Sequence, residues 1–407
     1  MLKLPLPLIC LLLVPSAMHA QTTDSLTGEL PRDIEYMVEE LSGSYEENID
    51  ASDLVYENSP TASKRIDLNT PDPFILAGKL RLNPEQIQNL IIYIRKYGPL
   101  LTCYELKAIR GFDSATIQRI MPVILIKPKE EKVSLNPFML IKQMKGTLLI
   151  RYGRILESQA GYFPAEDLQS SQEQYLGDPS RVLVRFNAKA AGRISLGLLA
   201  EKDAGEQLFK GTQTQGFDHY NAYLAITSNK VLRSLIIGDY QLGFGQGLTI
   251  NTSAMMTLSR GLYQPYKFSN PIRPNTSSNE SGGLRGMAAD IKTGKFSWTL
   301  FFSGKKLDAR LNTDDTTEQV EALITTGYHR TFAEISNKNR VQCLVYGGHA
   351  SYRNHFLQVG ATFFQSSFQS NFLPQNELYK RYMDPGGHIT VIGTDFRLLL
   401  PHVMVFG

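Results

Sequence analysis

The sequence predicts an α+β multidomain chain: a small all-α module followed by an antiparallel β-meander, outer-membrane barrel-like and truncated at its C-terminus. Three observations predict it. Helix caps and stops crowd residues 64–127, apolar and polar residues alternate with period two from about Lys145 onward, and an apolar leader precedes both. The expected boundaries are signal peptide 1–20, acidic leader with one short helix 21–63, helical module 64–127, linker 128–144 and strand region 145–407. A chain of 407 residues has room for two or three domains. Its 42 Lys and Arg against 39 Asp and Glu give +3, which excludes a globally basic nucleic-acid coat but leaves room for a local patch.

Met1 to Ala20 reads as a secretory signal. Lys3 supplies the positive start, Leu6 to Val14 the apolar stretch, and Ala17 to Ala20 an approximate cleavage region before Gln21. The apolar stretch is shorter than the ~20 residues a membrane helix needs, and no later run approaches 18. If the mature chain enters a bilayer, it does so with strands. Beyond the leader only Cys103 and Cys343 remain, too few for a disulfide scaffold or a cysteine-built zinc site, and two separate buried thiols are expected.

Residues 22–60 carry eleven acidic residues and one basic, Arg32. Ile34, Met37, Val38 and Leu41 fall on one stripe of a short helix within it; a mostly disordered acidic leader is the alternative. From Lys64 to Lys127 the balance reverses to a net +5. Asn83 is a good N-cap, Pro84 takes the first helical position, and Ile87, Leu90, Ile91 and Ile94 form the inner face. Tyr97-Gly98-Pro99 stops that helix. Thr102 opens another with Glu105 as its capping-box partner, Gly111 ends it, and Asp113 or Ser114 caps a last helix carrying Ile117 and Ile120.

These residues also carry a resemblance. Ile66-Asp67-Leu68-Asn69-Thr70, Tyr93-Ile94-Arg95-Lys96-Tyr97-Gly98-Pro99, Tyr104-Glu105-Leu106 and Ile109-Arg110-Gly111-Phe112 resemble the tandem helix-hairpin-helix (ComEA-like) module of secreted competence proteins that bind incoming DNA. The resemblance spans about sixty residues. In that family each hairpin turn holds a Gly-hydrophobic-Gly triplet whose backbone N–H groups cradle a phosphate. Here the first turn reads Leu80-Arg81-Leu82-Asn83 without glycine, and the second reads Gly111-Phe112-Asp113 with a carboxylate in place of the second glycine. Leu and Asp side chains obstruct the approach that glycine permits. The resemblance thus implies Arg81, Asn83, Lys107, Arg110, Gly111 and Ser114 as the nucleic-acid-binding set. The departures favour a degenerate module used for packing or protein contact.

The strand region follows. Val182, Val184, Phe186 and Ala188 alternate with Arg181, Arg185, Asn187 and Lys189. Similar rows are Ile194, Leu196, Leu198, Ala200; Tyr220, Ala222, Leu224, Ile226; Phe296, Trp298, Leu300, Phe302; and Leu357, Val359, Ala361, Phe363. Short turns at Ala191-Gly192, Ser228-Asn229, Thr293-Gly294 and Arg353-Asn354 alternate with long loops at about 157–178, 202–217, 251–282, 304–325 and 365–387. That layout is the one of outer-membrane barrels, whose polar face lines a wet interior; a secreted β-sandwich is the alternative. Between eleven and thirteen strand candidates are present, and the chain ends on Val403 to Gly407 as a new strand begins. A helix-hairpin-helix module ahead of a long strand region resembles poorly characterised bacterial envelope proteins.

Other constellations carry less. Gly243, Gly245 and Gly247 lack the Lys-Ser/Thr of a phosphate loop and fall on one face of a strand, where close packing or a bend accounts for them. Asp218-His219 and Asp314-Asp315 echo barrel proteases, but neighbours on a strand point to opposite faces. His329, His349, His355, His388 and His402 show no metal-ligand spacing and read as ordinary surface or strand residues. The expectation is a non-enzymatic exported envelope protein with no cofactor and no metal. Its partners are outer-membrane lipid and either DNA or a periplasmic protein. DNA binding for competence-type uptake is the second reading, and a barrel hydrolase a remote third.

Overall fold

The computed structural model describes residues 66–69, 76, 80, 82–126, 144–163, 174–190, 193–228, 231–252, 271–314, 317–354, 356–373, 386–400 and 403–407. The expected signal peptide, the acidic leader, nearly all of the linker and Arg81 lie outside the described residues.

The helical segment opens on β1 (Ile66–Asp67), which pairs in parallel with β2 (Ile124–Leu125) and ties its two ends together. Between them stand α1 (Pro84–Tyr97) and α2 (Ser114–Ile120). The capping chemistry accounts for α1. Asn83 Oδ1 accepts from Gln86 N–H at 2.7 Å, and Gln86 Oε1 accepts from Asn83 N–H at 2.9 Å. Gly98, at φ +92°, ends it by donating to Ile94 O at 3.0 Å. The helix expected after Thr102 is a 3₁₀ turn, Cys103–Ala108, because Glu105 accepts from both Leu101 and Thr102 N–H and tightens its first residues. Leu68, Ile87, Leu90, Leu106, Ile117 and Ile120 form the core of this segment. Leu399 of the sheet is buried in the same core, and Met404 packs on it, so the helical segment sits against a short-turn end of the sheet.

The rest is an antiparallel sheet. Its strands are β3 (Lys145–Arg154), β4 (Ser180–Ala190), β5 (Ile194–Lys202), β6 (His219–Thr227), β7 (Leu232–Leu242), β8 (Ile272–Pro274), β9 (Leu284–Thr293) and β10 (Phe296–Leu307). After the excursion β11 (Ala309–Asp314), β12 (Thr317–Leu323) and α3 (Phe332–Ser336) come β13 (Val341–Arg353), β14 (Leu357–Phe368), β15 (His388–Leu399) and β16 (Met404–Phe406). The pairing path is β16-β15-β14-β13-β10-β9-β7-β6-β5-β4-β3, with β8 on β7, twelve strands in all. No ladder joins β3 to β16 among the described residues: the sheet is not closed. The expected long loop 304–325 is instead the end of β10 and the β11–β12 hairpin, held by Ala309, Val320 and Val341.

On several strands large apolar side chains face outward and polar ones inward, alongside a buried apolar set that includes Ile236, Tyr240, Phe301 and Phe364. On β10, Trp298, Leu300 and Phe302 are 47 %, 57 % and 48 % exposed, while Thr299, Phe301 and Ser303 on the other face are 1 %, 5 % and 1 % exposed. Neighbouring strands repeat this. Tyr220, Leu224 and Ile226 on β6 and Val359 and Phe363 on β14 are exposed; Asn187, Asn221, Asp239, Asp290, Thr362 and Asp395 are buried. The sheet curls around these polar rows. A Cβ on Gly245, just after β7, would lie 2.6 Å from Asp395 Cβ on β15, although β9, β10, β13 and β14 intervene in the path.

The segment 243–250 therefore folds into the concave side. Phe244 stacks on His349 with ring centroids 4.6 Å apart. The bend expected for Gly243, Gly245 and Gly247 is found, with φ +52° at Gly245 and +90° at Gly247, while their placement on one strand face is corrected to a tight turn.

Candidate functional site

At the long-loop end of the sheet, charged side chains from separate connections converge on one histidine. The β5–β6 loop supplies Asp203, Glu206 and Asp218; the segment before β9 supplies Glu280; the β10–β11 turn supplies Asp308; the segment flanking α3 supplies His329 and Lys338. Each is placed by its own backbone. Thr331 caps α3 by accepting from Glu334 N–H at 3.2 Å, and the Glu334 carboxylate binds Arg330 at 2.9 Å. The Arg330 guanidinium lies 4.1 Å over the Tyr328 ring and 5.0 Å over Tyr175.

His329 is the centre. Its Nδ1 lies 2.6 Å from Asp218 Oδ2, its Nε2 lies 2.9 Å from Asp308 Oδ2, and its backbone N–H donates to Glu206 Oε1 at 2.9 Å. Lys338 Nζ donates to the other Asp218 oxygen at 2.7 Å, and Gln213 also donates to it. Glu280 lies between two histidines, 3.9 Å from His329 Nδ1 and 3.7 Å from His219 Nδ1.

The titration behaviour follows from this packing. Burial alone would lower His329, but its hydrogen bonds to Asp218 and Asp308 overcome that and push it up to about 10. Burial pushes Glu280 up to about 9, helped by the Asp218 charge. Burial, with Asp218 and Asp203 nearby, raises Glu206 to about 7. Burial would raise Asp218 and Asp308 too, yet their contacts with His329 hold both below the usual range. At neutral pH the centre is an imidazolium clamped between two carboxylates.

Glu206, Asp218 and His329, and likewise Glu280, Asp308 and His329, bring one ligand atom each within 4.8 Å of one another. Carboxylate and imidazole suit a divalent cation by type. Both ring nitrogens already face carboxylates, so a cation there would have to replace those contacts. What the arrangement does chemically is join three long connections through one cation.

Two expectations are corrected here. His329 is no ordinary surface or strand residue; it is 3 % exposed. Asp218 and His219 were expected to point apart, yet both reach the cluster, Asp218 through His329 and His219 through Glu280. Asp218 precedes β6, so strand alternation does not govern it. No local motif announces the cluster, because His329 and Asp218 are 111 residues apart.

The residues expected to bind nucleic acid lie elsewhere, in the helical segment. Asn83 is engaged in the α1 cap, and Gln86 Nε2 donates to Gly111 O at 2.7 Å, which brings the two turns together. Gly111 has φ +91°. Lys107, Arg110 and Ser114 are exposed, Arg110 with a 4.0 Å contact to Glu85. Asp113 accepts from Thr116 N–H at 2.9 Å and so puts its own carboxylate at the first turn of α2. Arg81 lies outside the described residues. Cys103 and Cys343 are both free thiols, Cys343 buried and Cys103 half-buried. No family model matches the chain, and no curated protein matches it in sequence.

Proposed function

We propose that this is a non-enzymatic exported envelope protein. Its strand region is seated barrel-like in the outer membrane, and its helical segment stands on the periplasmic side as a packing or partner-binding module. One observation carries the reading: apolar rows such as Trp298, Leu300 and Phe302 face outward while Thr299 and Ser303 face inward. In water each half-exposed large side chain forfeits on the order of 1 kcal/mol of burial, repeated over many strands. In lipid the same face is the favourable one. The short turns and the helical segment at Leu399 share one end, and the long connections occupy the other, as in barrels of this membrane. No described helix is long and apolar enough to cross a membrane.

Lipid also requires that no strand edge stay unpaired. The reading therefore includes a pairing partner for β3 and for β16, either each other in a ring or a further strand. Membrane fractionation followed by electrophoresis with and without heating tests it. Detergent-extractable protein with a heat-modifiable shift is expected; recovery with soluble periplasmic protein would contradict it.

Competence-type DNA binding is the second reading, favoured by the left-handed Gly111 turn beside the exposed Arg110. Asp113 at the mouth of α2 weighs against it, since its carboxylate meets the phosphate's position with like charge.

A further inference from the structure

Beside the charge cluster, on the concave side of the sheet, lies a cavity of about 410 Å³. That volume falls within the ~300–1,000 Å³ of small-molecule sites. One wall is apolar, made by Leu284, Leu307, Cys343 and Val345. Asn251 and Ser281 add polar edge, and Lys305, Ser303 and Thr252 supply three donors.

These three groups share a property that residue type alone does not give. Ser303 Oγ already accepts from Arg285 N–H at 3.0 Å, and Thr252 Oγ1 accepts from Leu242 N–H at 2.8 Å. Neither hydroxyl proton has an acceptor among the described residues, so both hydroxyls remain as donors. Lys305 Nζ donates to the carbonyls of Glu280 at 2.6 Å and Gly282 at 3.3 Å, which pins the ammonium at the cavity wall. Among the described residues no carboxylate lies within ion-pair distance of it. A partly buried lysine held by two neutral carbonyls, with Asp239, Glu280 and Asp308 acting on it only from beyond ion-pair distance, leaves room for an anion at its ammonium. The polar side of the cavity thus presents an ammonium and two hydroxyl donors, with Asn251 and Ser281 beside them, and the opposite side is apolar.

We infer that this cavity binds a small organic anion, an apolar body ending in one carboxylate, with the carboxylate at Lys305, Ser303 and Thr252 and the body against Leu284, Leu307 and Val345. The inference does not depend on where the sheet resides, since the cavity is formed by the concave side.

Cys343 in the apolar wall provides the readout. In full-length protein carrying Cys10→Ser and Cys103→Ser, the rate of Cys343 modification by methyl methanethiosulfonate is measured with 4-phenylbutyrate and with its uncharged analogue 4-phenylbutan-1-ol. Phenylbutyrate is expected to slow modification about tenfold or more at saturation, and the alcohol to require at least ~10-fold higher concentration. Lys305→Met should remove that preference while leaving protection by the alcohol, and Ser303→Ala should weaken the acid alone. Equal protection by acid and alcohol, no protection by either, or an undiminished preference in both variants would each overturn the inference. Protection lost at Lys305 alone through misfolding is recognised by loss of alcohol protection as well, and Ser303→Ala then decides.

Discussion

His329 Nδ1 and Asp218 Oδ2 stand 2.6 Å apart across 111 residues of sequence, with Asp308 on the opposite ring nitrogen at 2.9 Å. That contact ties the β5–β6 loop to the excursion between β10 and β13, and its strength is tied to the charge on the ring.

The pH dependence follows from the shifts. His329 is raised from 6.5 to about 10, Glu280 from 4.5 to about 9 and Glu206 from 4.5 to about 7, so the folded state binds more protons than the unfolded one above pH 4.5. Their stabilisation is complete below the unfolded values, 4.5 for the glutamates and 6.5 for His329, and is lost as pH rises from there to the folded values. Asp218 and Asp308, both lowered, act oppositely and lose their contribution as pH falls below the ordinary Asp range. Thermal unfolding of the wild type should therefore lose about 2–4 kcal/mol between pH 6.5 and 10. His329→Gln, less stable by roughly 2–3 kcal/mol at neutral pH, should show a flatter profile over that range. Parallel profiles for the two proteins would remove His329 from the account.

The sheet's sequence pattern was readable because alternation is local. Trp298, Leu300 and Phe302 alternate with Thr299 and Ser303, and the structure separates those two sets onto opposite faces. The caps at Asn83 and Asp113 were readable for the same reason, each acting on the N–H three residues on. The cluster was hidden because Asp218, Glu280, Asp308 and His329 meet only after the sheet has aligned its connections. Gly245 misled in the opposite direction: glycines at every second residue mimic one strand face, while φ +52° and the approach to Asp395 belong to a turn.

Glycine substitutions test the curl of the sheet. Gly238 in β7 has φ +104°, and a Cβ there would lie 2.2 Å from the Ala222 carbonyl oxygen. Gly238→Ala should cost about 2–4 kcal/mol by urea unfolding, combining strain and overpacking. Gly153→Ala on β3, with nothing within 4 Å, should stay within about 0.5 kcal/mol.

The helical segment gives a third prediction. Full-length protein should bind duplex DNA only weakly, and Asp113→Gly should raise affinity about 3–10-fold, since it removes the carboxylate at α2 and costs only a few tenths of a kcal/mol as a cap. Lys107→Glu with Arg110→Glu should abolish that gain. Deleting residues 22–60, with their eleven acidic side chains, should raise affinity further by uncovering the basic segment. A salt titration by fluorescence anisotropy measures all four proteins; unchanged affinity on deletion would dismiss the leader as a competitor.

The outward placement of the apolar rows is tested most directly at Trp298, the one tryptophan of the chain and 47 % exposed. After reconstitution into vesicles, its fluorescence should be quenched strongly by lipids brominated on their acyl chains and weakly by aqueous acrylamide. Efficient acrylamide quenching with no response to brominated lipid would place Trp298 in water and contradict the membrane reading.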